Sequence, residues 1–426
     1  MTIDKRKTQP MITFNFLDAP MGYGKTTAII NKVNTKGFKG LGNTERFLVV
    51  TPYNAEVNRI CENSCCVAPV GVKRDEIKSL LASGENICCT HALFALFTNE
   101  HLDIIRESGY NYHLIIDEEL SLITDIVGYK RQLNKDNPSI IEQYGKDDYT
   151  ILKKEGLITE TDEHEVLWNE EKEYAGVFVD LKKRLGIHRL FRYGKGIIQM
   201  PKRSLWLVFT SVTFCSYRMK DSLLSYYCQL NDITVNYQHI ENKEIIEGYK
   251  ALKPKRLDLL HLYTTPKDIS YSCSKYFYSN NCRPQRGEKT SKLRRLSAMF
   301  RYFRENIVPS SVDKTAYYWT CYKGYAQYFV DKNLAKKRHR PCNMKAVNDL
   351  QVCQIIGYFV NRFMKVSIKN FLQQQGIEVN EKEIALSETI QFIWRSAVRA
   401  VAPKPVYVFI GSDGLKKDLD LWKGQE

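Results

Sequence analysis

Residues 19–26, APMGYGKT, restrict what this chain can fold into more than any other stretch. Before them lies ITFNFL (Ile12 to Leu17), an apolar run of strand length, and after them Thr26 to Val33 has the pattern of a helix start. Glycines between a strand and a helix let consecutive backbone N–H groups turn inward, while the helix presents its positive end to an anion. The segment therefore reads as a phosphate-binding loop made of Ala19, Pro20, Met21, Gly22, Tyr23, Gly24, Lys25, Thr26 and Thr27, with alanine in the place of the usual first glycine. In that reading Lys25 neutralises the β- and γ-phosphates of ATP and Thr26 binds Mg2+. The competing reading is an ordinary glycine turn.

A second element favours the phosphate loop. HLIIDEEL (His113 to Leu120) is an apolar strand ending in acids, as expected of the magnesium-holding strand in phosphate-loop ATPases. Asp117 is the natural Mg2+ partner, and Glu118 is placed to orient and deprotonate an attacking water. Glu119 points away if the strand alternation persists.

At this point the chain resembles superfamily 2 helicases, because the acidic strand reads Asp-Glu-Glu and further segments follow in that family's order. FLVVTPYNAEV (Phe47 to Val57) and ICCTHALF (Ile87 to Phe94) are similar to strands whose tips touch the nucleic-acid backbone, which implies that role for Thr51, Pro52, Thr90 and His91. LWLVFTSVTF (Leu205 to Phe214) resembles the strand that links hydrolysis to the other domain, with Ser211 and Thr213 as its coupling residues. In the C-terminal half, TAYYWTCY (Thr315 to Tyr322) reads as the first strand of a second RecA-like domain, and ALSETIQFIWRSAVR (Ala385 to Arg399) is helical by its periodicity.

That helix resembles the arginine segment of these motors. Gln391 and Arg395 match its glutamine and first arginine at a spacing of four, and Arg399 stands one residue later than the usual second arginine. The resemblance implies that Arg395 is an arginine finger, supplied by domain 2 to the γ-phosphate on domain 1. Pairing of these arginines with Glu383 or Glu388 is the alternative, more credible for Arg399. PCNMKAVNDL (Pro341 to Leu350) followed by YFVNRF resembles bacteriophage-type DEAD/DEAH-box-like helicases, which implies that Asn343, Lys345 and Asn348 line the cleft or hold the nucleic-acid backbone. As polar turn residues they would need no such role.

Length and charge fit the same picture. A chain of 426 residues is too long for one ordinary core and suits two α/β domains plus an insertion. The expected fold is therefore α/β, with two RecA-like domains of parallel sheets flanked by helices. Domain 1 is expected over residues 1–250, with a charged insertion at about 125–203, and domain 2 over 251–426. Within the insertion, Glu155 to Glu173 holds eight acids and one lysine whereas Lys182 to Arg203 is basic. Residues 1–250 carry 32 Lys+Arg against 33 Asp+Glu and residues 251–426 carry 31 against 15, so the halves stand at −1 and +16. A polyanion would be drawn to the second half, whose basic string Lys336, Lys337, Arg338 and Arg340 and helix-like KLRRLSAMFRYFR (Lys292 to Arg304) interleave cations with aromatics.

No apolar run is long enough for a membrane helix, and MTIDKRKTQP lacks the apolar stretch of a signal peptide, so a cytoplasmic protein is expected, and the phage-type resemblance implies a bacterial or phage-infected cell. The 12 cysteines are scattered and read as reduced thiols, with Cys61, Cys65 and Cys66 forming no complete metal set. The expected activity is ATP hydrolysis with Mg2+ coupled to nucleic acid, DNA before RNA, with replication or recombination proteins as partners. An ATPase switch that binds nucleic acid without unwinding it has the same motifs. A small-molecule kinase would instead need a lid and a substrate pocket in place of the second domain.

Overall fold

The computed structural model describes residues 10–118, 120–125, 130–132, 141–143, 146–176, 178–193, 196–265, 276–329, 334–342 and 350–424. The chain divides into two compact units. Unit 1 comprises Met1–Ala19, Tyr23–Ala251 and Lys365–Val379, and unit 2 comprises Pro20–Gly22, Leu252–Met364 and Asn380–Glu426. The long division falls at the polar joint around residue 251.

Unit 1 begins with β1 (Thr13–Asp18), β2 (Glu45–Thr51), β3 (Ile87–Thr90) and β4 (Asn111–Asp117). An inserted group follows: β5 (Thr124–Asp125), β6 (Lys130–Gln132), β7 (Ile141–Gln143), β8 (Ile158–Glu160), β9 (Glu165–Trp168), β10 (His188–Tyr193) and β11 (Gly196–Pro201). The chain then returns through β12 (Ser211–Ser216), β13 (Thr234–Glu241) and β14 (Glu244–Glu247). The main sheet has the order β14-β13-β1-β12-β4-β2-β3, with parallel pairing throughout except at the β13–β14 hairpin. Its central strands read as continuous apolar runs, as strands covered on both faces must. Phe14, Trp206, Phe214 and Tyr227 form one aromatic cluster of that core, with Phe14 and Trp206 edge-to-face at 5.2 Å between ring centroids.

The insertion is a separate antiparallel sheet, ordered β5-β11-β10-β9-β8, with its own apolar core around Leu152, Ile158, Val166, Trp168, Phe178 and Leu190. Its charge segregation along the sequence becomes charge pairing in space. Arg189 grips Glu165 with Nε and Nη2, both at 2.8 Å, and Glu160 is held by Arg192, His164 and Tyr149. Helix Val366–Gln374 also packs here, Phe371 lying 5.5 Å from Phe191 and Ser367 Oγ donating to Asp125 at 2.7 Å.

Unit 2 is built on a four-stranded parallel sheet, β15-β18-β17-β16, formed by β15 (Leu260–Thr264), β16 (Tyr317–Thr320), β17 (Ile355–Tyr358) and β18 (Val406–Ile410). Helices Lys292–Tyr302, Glu381–Ile393 and Asp413–Gly424 flank it. The first strand is β15, not the segment at Thr315 to Tyr322, which supplies the edge strand β16. The class is mixed α/β with parallel sheets flanked by helices, as the sequence pattern led one to expect.

Candidate functional site

The loop between β1 and helix Lys25–Lys36 is shaped by two glycines in the left-handed region, Gly22 at φ 81° and Gly24 at φ 90°. A Cβ on Gly22 would meet nothing within 4 Å, so the backbone conformation and not crowding selects glycine there. The loop is tied at its base. Ala19 N–H donates to Ser216 O at 3.1 Å, and Asp18, the buried last residue of β1, accepts from the N–H groups of Arg218 and Met219 at 2.8 and 2.9 Å. Lys25 opens the helix and folds back to donate to Ala19 O. Thr26 is half-buried in the first turn, whereas Thr27 is exposed.

Parallel pairing brings β1, β12 and β4 side by side, and their C-terminal ends gather charge. Asp117, the last residue of β4, is 6% exposed, and burial, reinforced by Glu118 and opposed by Lys25, pushes its carboxyl up to about 6. Burial holds the Lys25 ammonium below the usual lysine range, opposed most by Asp117. The strand stops at Asp117. Glu118 leaves it at φ 63°, a conformation that costs a non-glycine residue about 1–2 kcal/mol. Glu118 N–H donates to Cys215 O at 2.8 Å, while Oε2 is buried without a hydrogen-bond partner among the described residues. Glu118 thus joins a left-handed backbone to a buried, unsatisfied Oε2 next to Asp117, a combination that nominates a candidate site. Asp117, with the hydroxyl of Thr26, is the group that could hold a divalent cation; Glu119 lies outside the described residues.

Thr51 and Thr90 are register partners at the ends of β2 and β3, and Thr90 caps the short helix His91–Phe94 by accepting from Leu93 N–H. Pro52 follows directly on β2. His91 Nε2 lies 3.0 Å from Asp117 O, so this histidine steadies the turn that carries Glu118. Asp18 was invisible as a site residue, although an acid directly before the loop was a readable signal. Ser211 and Thr213 are placed otherwise than expected. Leu205 to Thr210 is a tight turn, with Trp206 buried and its Nε1 donating to Tyr227 OH, and β12 starts only at Ser211. Ser211 therefore pairs with His113 at the far end of the sheet, Thr213 is buried in mid-strand, and Ser216 stands at the tip next to Asp18.

In unit 2, helix Glu381–Ile393 ends before the arginines. Gln391 is inside it, its Nε2 donating to Ser387 Oγ at 3.2 Å, whereas Arg395 sits in the turn beyond and Arg399 closes the 3-10 turn Ala397–Arg399. The four-residue spacing thus does not place Gln391 and Arg395 on one helical face. Arg395 is 6% exposed with Nε unpartnered among the described residues. Glu388 is paired with Arg362 at 2.8 Å. Asn343, Lys345 and Asn348 lie outside the described residues.

Comparison with known proteins places the second half. Residues 255–423 match the family described as the YonV C-terminal Rossmann-like domain. The C-terminal unit is Rossmann-like. Over 432 residues the chain is 28% identical to the SPbeta prophage-derived uncharacterized protein YonV of Bacillus subtilis (strain 168), covering 95% of this chain and 97% of that protein. Among solved structures, S. tokodaii Xpd4 aligns with a TM-score of 0.48 and 10% identity, over 97% of this chain and 95% of that one. Among the described residues no helix is long and apolar enough to cross a membrane.

The raised carboxyl of Asp117 gives a pH test. Each pKa unit is worth about 1.36 kcal/mol, so a rise from 3.8 to about 6 weakens the ligand-free fold by about 3 kcal/mol once the group ionises. Below about 4 the carboxyl is protonated in both states and nothing is lost. Between about 4 and 6 the unfolded chain releases the proton first, so stability falls as pH rises through that window. Asp117→Asn is expected to remove this fall and to melt higher than wild type at pH 7. Melting temperatures across pH 4–7 that fall in parallel for both proteins would reject it.

Proposed function

We propose that the chain is an ATP-dependent nucleic-acid motor of superfamily 2 type, hydrolysing ATP with Mg2+ and working on DNA in preference to RNA. The observation that carries this is the convergence of Lys25, Asp117 and Glu118 at neighbouring strand ends behind a loop with two left-handed glycines. In this reading Gly22 and Gly24 let the loop N–H groups face the phosphates, and Lys25 neutralises them. Thr26 and Asp117 would hold Mg2+, which would supply charge neutralisation for the phosphates. Glu118 takes the proton from the attacking water, its free Oε2 being the acceptor. Arg395, with its unpartnered Nε, is assigned to the charge of the transition state.

Nucleic-acid work is supported by the +16 charge of residues 251–426, and a phage setting is in keeping with the prophage-derived relative. Within the insertion, Glu160 and Glu165 are matched by Arg192 and Arg189 and so are not free to compete for that charge. The deciding experiment is the ATPase rate alone and with single-stranded DNA, duplex DNA or RNA. Stimulation by DNA supports the reading; no ATP hydrolysis under any condition rejects it.

The basic string can be tested cleanly. Lys336 and Lys337 are exposed, whereas Arg338 lies over the Tyr317 ring and Arg340 donates to backbone carbonyls. Reversing only Lys336 and Lys337 to glutamate should lower DNA affinity and reduce its salt slope by about 0.7 per lost contact on single strands or 0.9 on duplex. Nucleotide binding should be unchanged. A salt slope equal to wild type would make this string a solvated surface.

A further inference from the structure

The hairpin β13–β14 closes through the pair Glu241 and Glu244, leaving a two-residue turn of Asn242 and Lys243. Their φ angles are 50° and 67°, the two positive values that a type I′ turn requires. Such turns favour Asn-Gly. Asparagine tolerates the first position, but lysine in the second pays a conformational cost that glycine would avoid. Strain of this kind points to a use for the side chain. The surroundings supply one: a Cβ built on Gly24 would lie 3.7 Å from Lys243 Cγ. The stem of the strained lysine therefore lies against Gly24 of the loop, and the residue is exposed.

The rest of the hairpin is coupled to the same loop. Lys250, paired with Glu241 at 3.1 Å, acts through its charge on Tyr23, and Glu247 acts on Lys32 of the following helix. Among the described residues no ion pair is formed by Lys243. A solvated turn lysine is common, but it explains neither the choice of lysine over glycine nor its position against Gly24.

We propose that Lys243 is a second phosphate-binding cation, contributed by the hairpin as Lys25 is contributed by the helix, for the polyphosphate of a nucleoside triphosphate. This rests on the nucleotide reading above. The test is binding of a fluorescent ATP analogue with Mg2+ to the full chain at low and high salt, in wild type, Lys243→Gly and Lys243→Arg, together with melting temperatures. Lys243→Gly should melt higher, because the turn is relieved, yet bind about tenfold more weakly at low salt, equivalent to about 1.4 kcal/mol. The loss should shrink at high salt, and Lys243→Arg should bind as wild type. Wild-type affinity in Lys243→Gly at low salt, or no recovery in Lys243→Arg, would overturn the role of Lys243 alone. Absence of binding by wild type would instead overturn the nucleotide reading, and this inference with it.

Discussion

Glu118→Gln is expected to bind ATP as wild type does and to lose turnover by about 10³-fold, within the range that a general base contributes. The substitution keeps the side chain's length and the left-handed backbone, so the fold should survive, while the atom that would accept the proton becomes an amide. Lys25→Ala is expected to behave differently, losing affinity, because a cation that contacts the phosphates acts before chemistry. Equilibrium binding and single-turnover hydrolysis separate the two. Near-normal hydrolysis by Glu118→Gln would transfer the role to Glu119.

Arg395→Ala should lower ATP turnover by about 10³-fold, on the scale of arginine fingers, with melting temperature little changed. The side chain is buried yet has an unpartnered Nε, so its removal costs the fold little of the hydrogen bonding that a packing arginine would supply. Arg399→Ala should cost less, since Arg399 is half-buried at the end of a short 3-10 turn. The opposite ranking at equal stability would mean that Arg399 is the functional arginine.

What could be read from the sequence was local. Strand, glycine loop and helix lie within about 25 consecutive residues, so pattern and turn chemistry specify β1 and its loop without tertiary help. Asp117 and Glu118 were legible for the same reason, but not the left-handed turn between them and solvent, which depends on Cys215 from a distant strand. Leu205 to Thr210 misled because an apolar run has no period; those side chains fill a core from a turn. The boundary near residue 251 was legible, but the first strand of unit 2 was missed because β15 is an edge strand, with only Leu260 fully buried and a histidine inside it. Arg395 falls outside its helix through packing: Trp394, which ends the helix, is fixed edge-to-face on Trp422 at 5.9 Å. The pairing of Lys182 to Arg203 with the acidic stretch needed the antiparallel register of β9 and β10, which no charge count contains.

The helix Val366–Gln374 has a consequence for how the protein is made. It is encoded after most of unit 2, yet Ile368, Phe371 and Leu372 are buried in unit 1, where Phe371 covers Phe191 and Tyr193. A ribosome delivers the chain from its amino terminus, so the inserted sheet emerges with that apolar face bare and stays so until about 170 further residues have been translated. Completion of the first unit therefore waits on near-completion of synthesis. The nascent protein carries an exposed aromatic patch through much of its translation, the kind of surface that chaperones and proteases compete for.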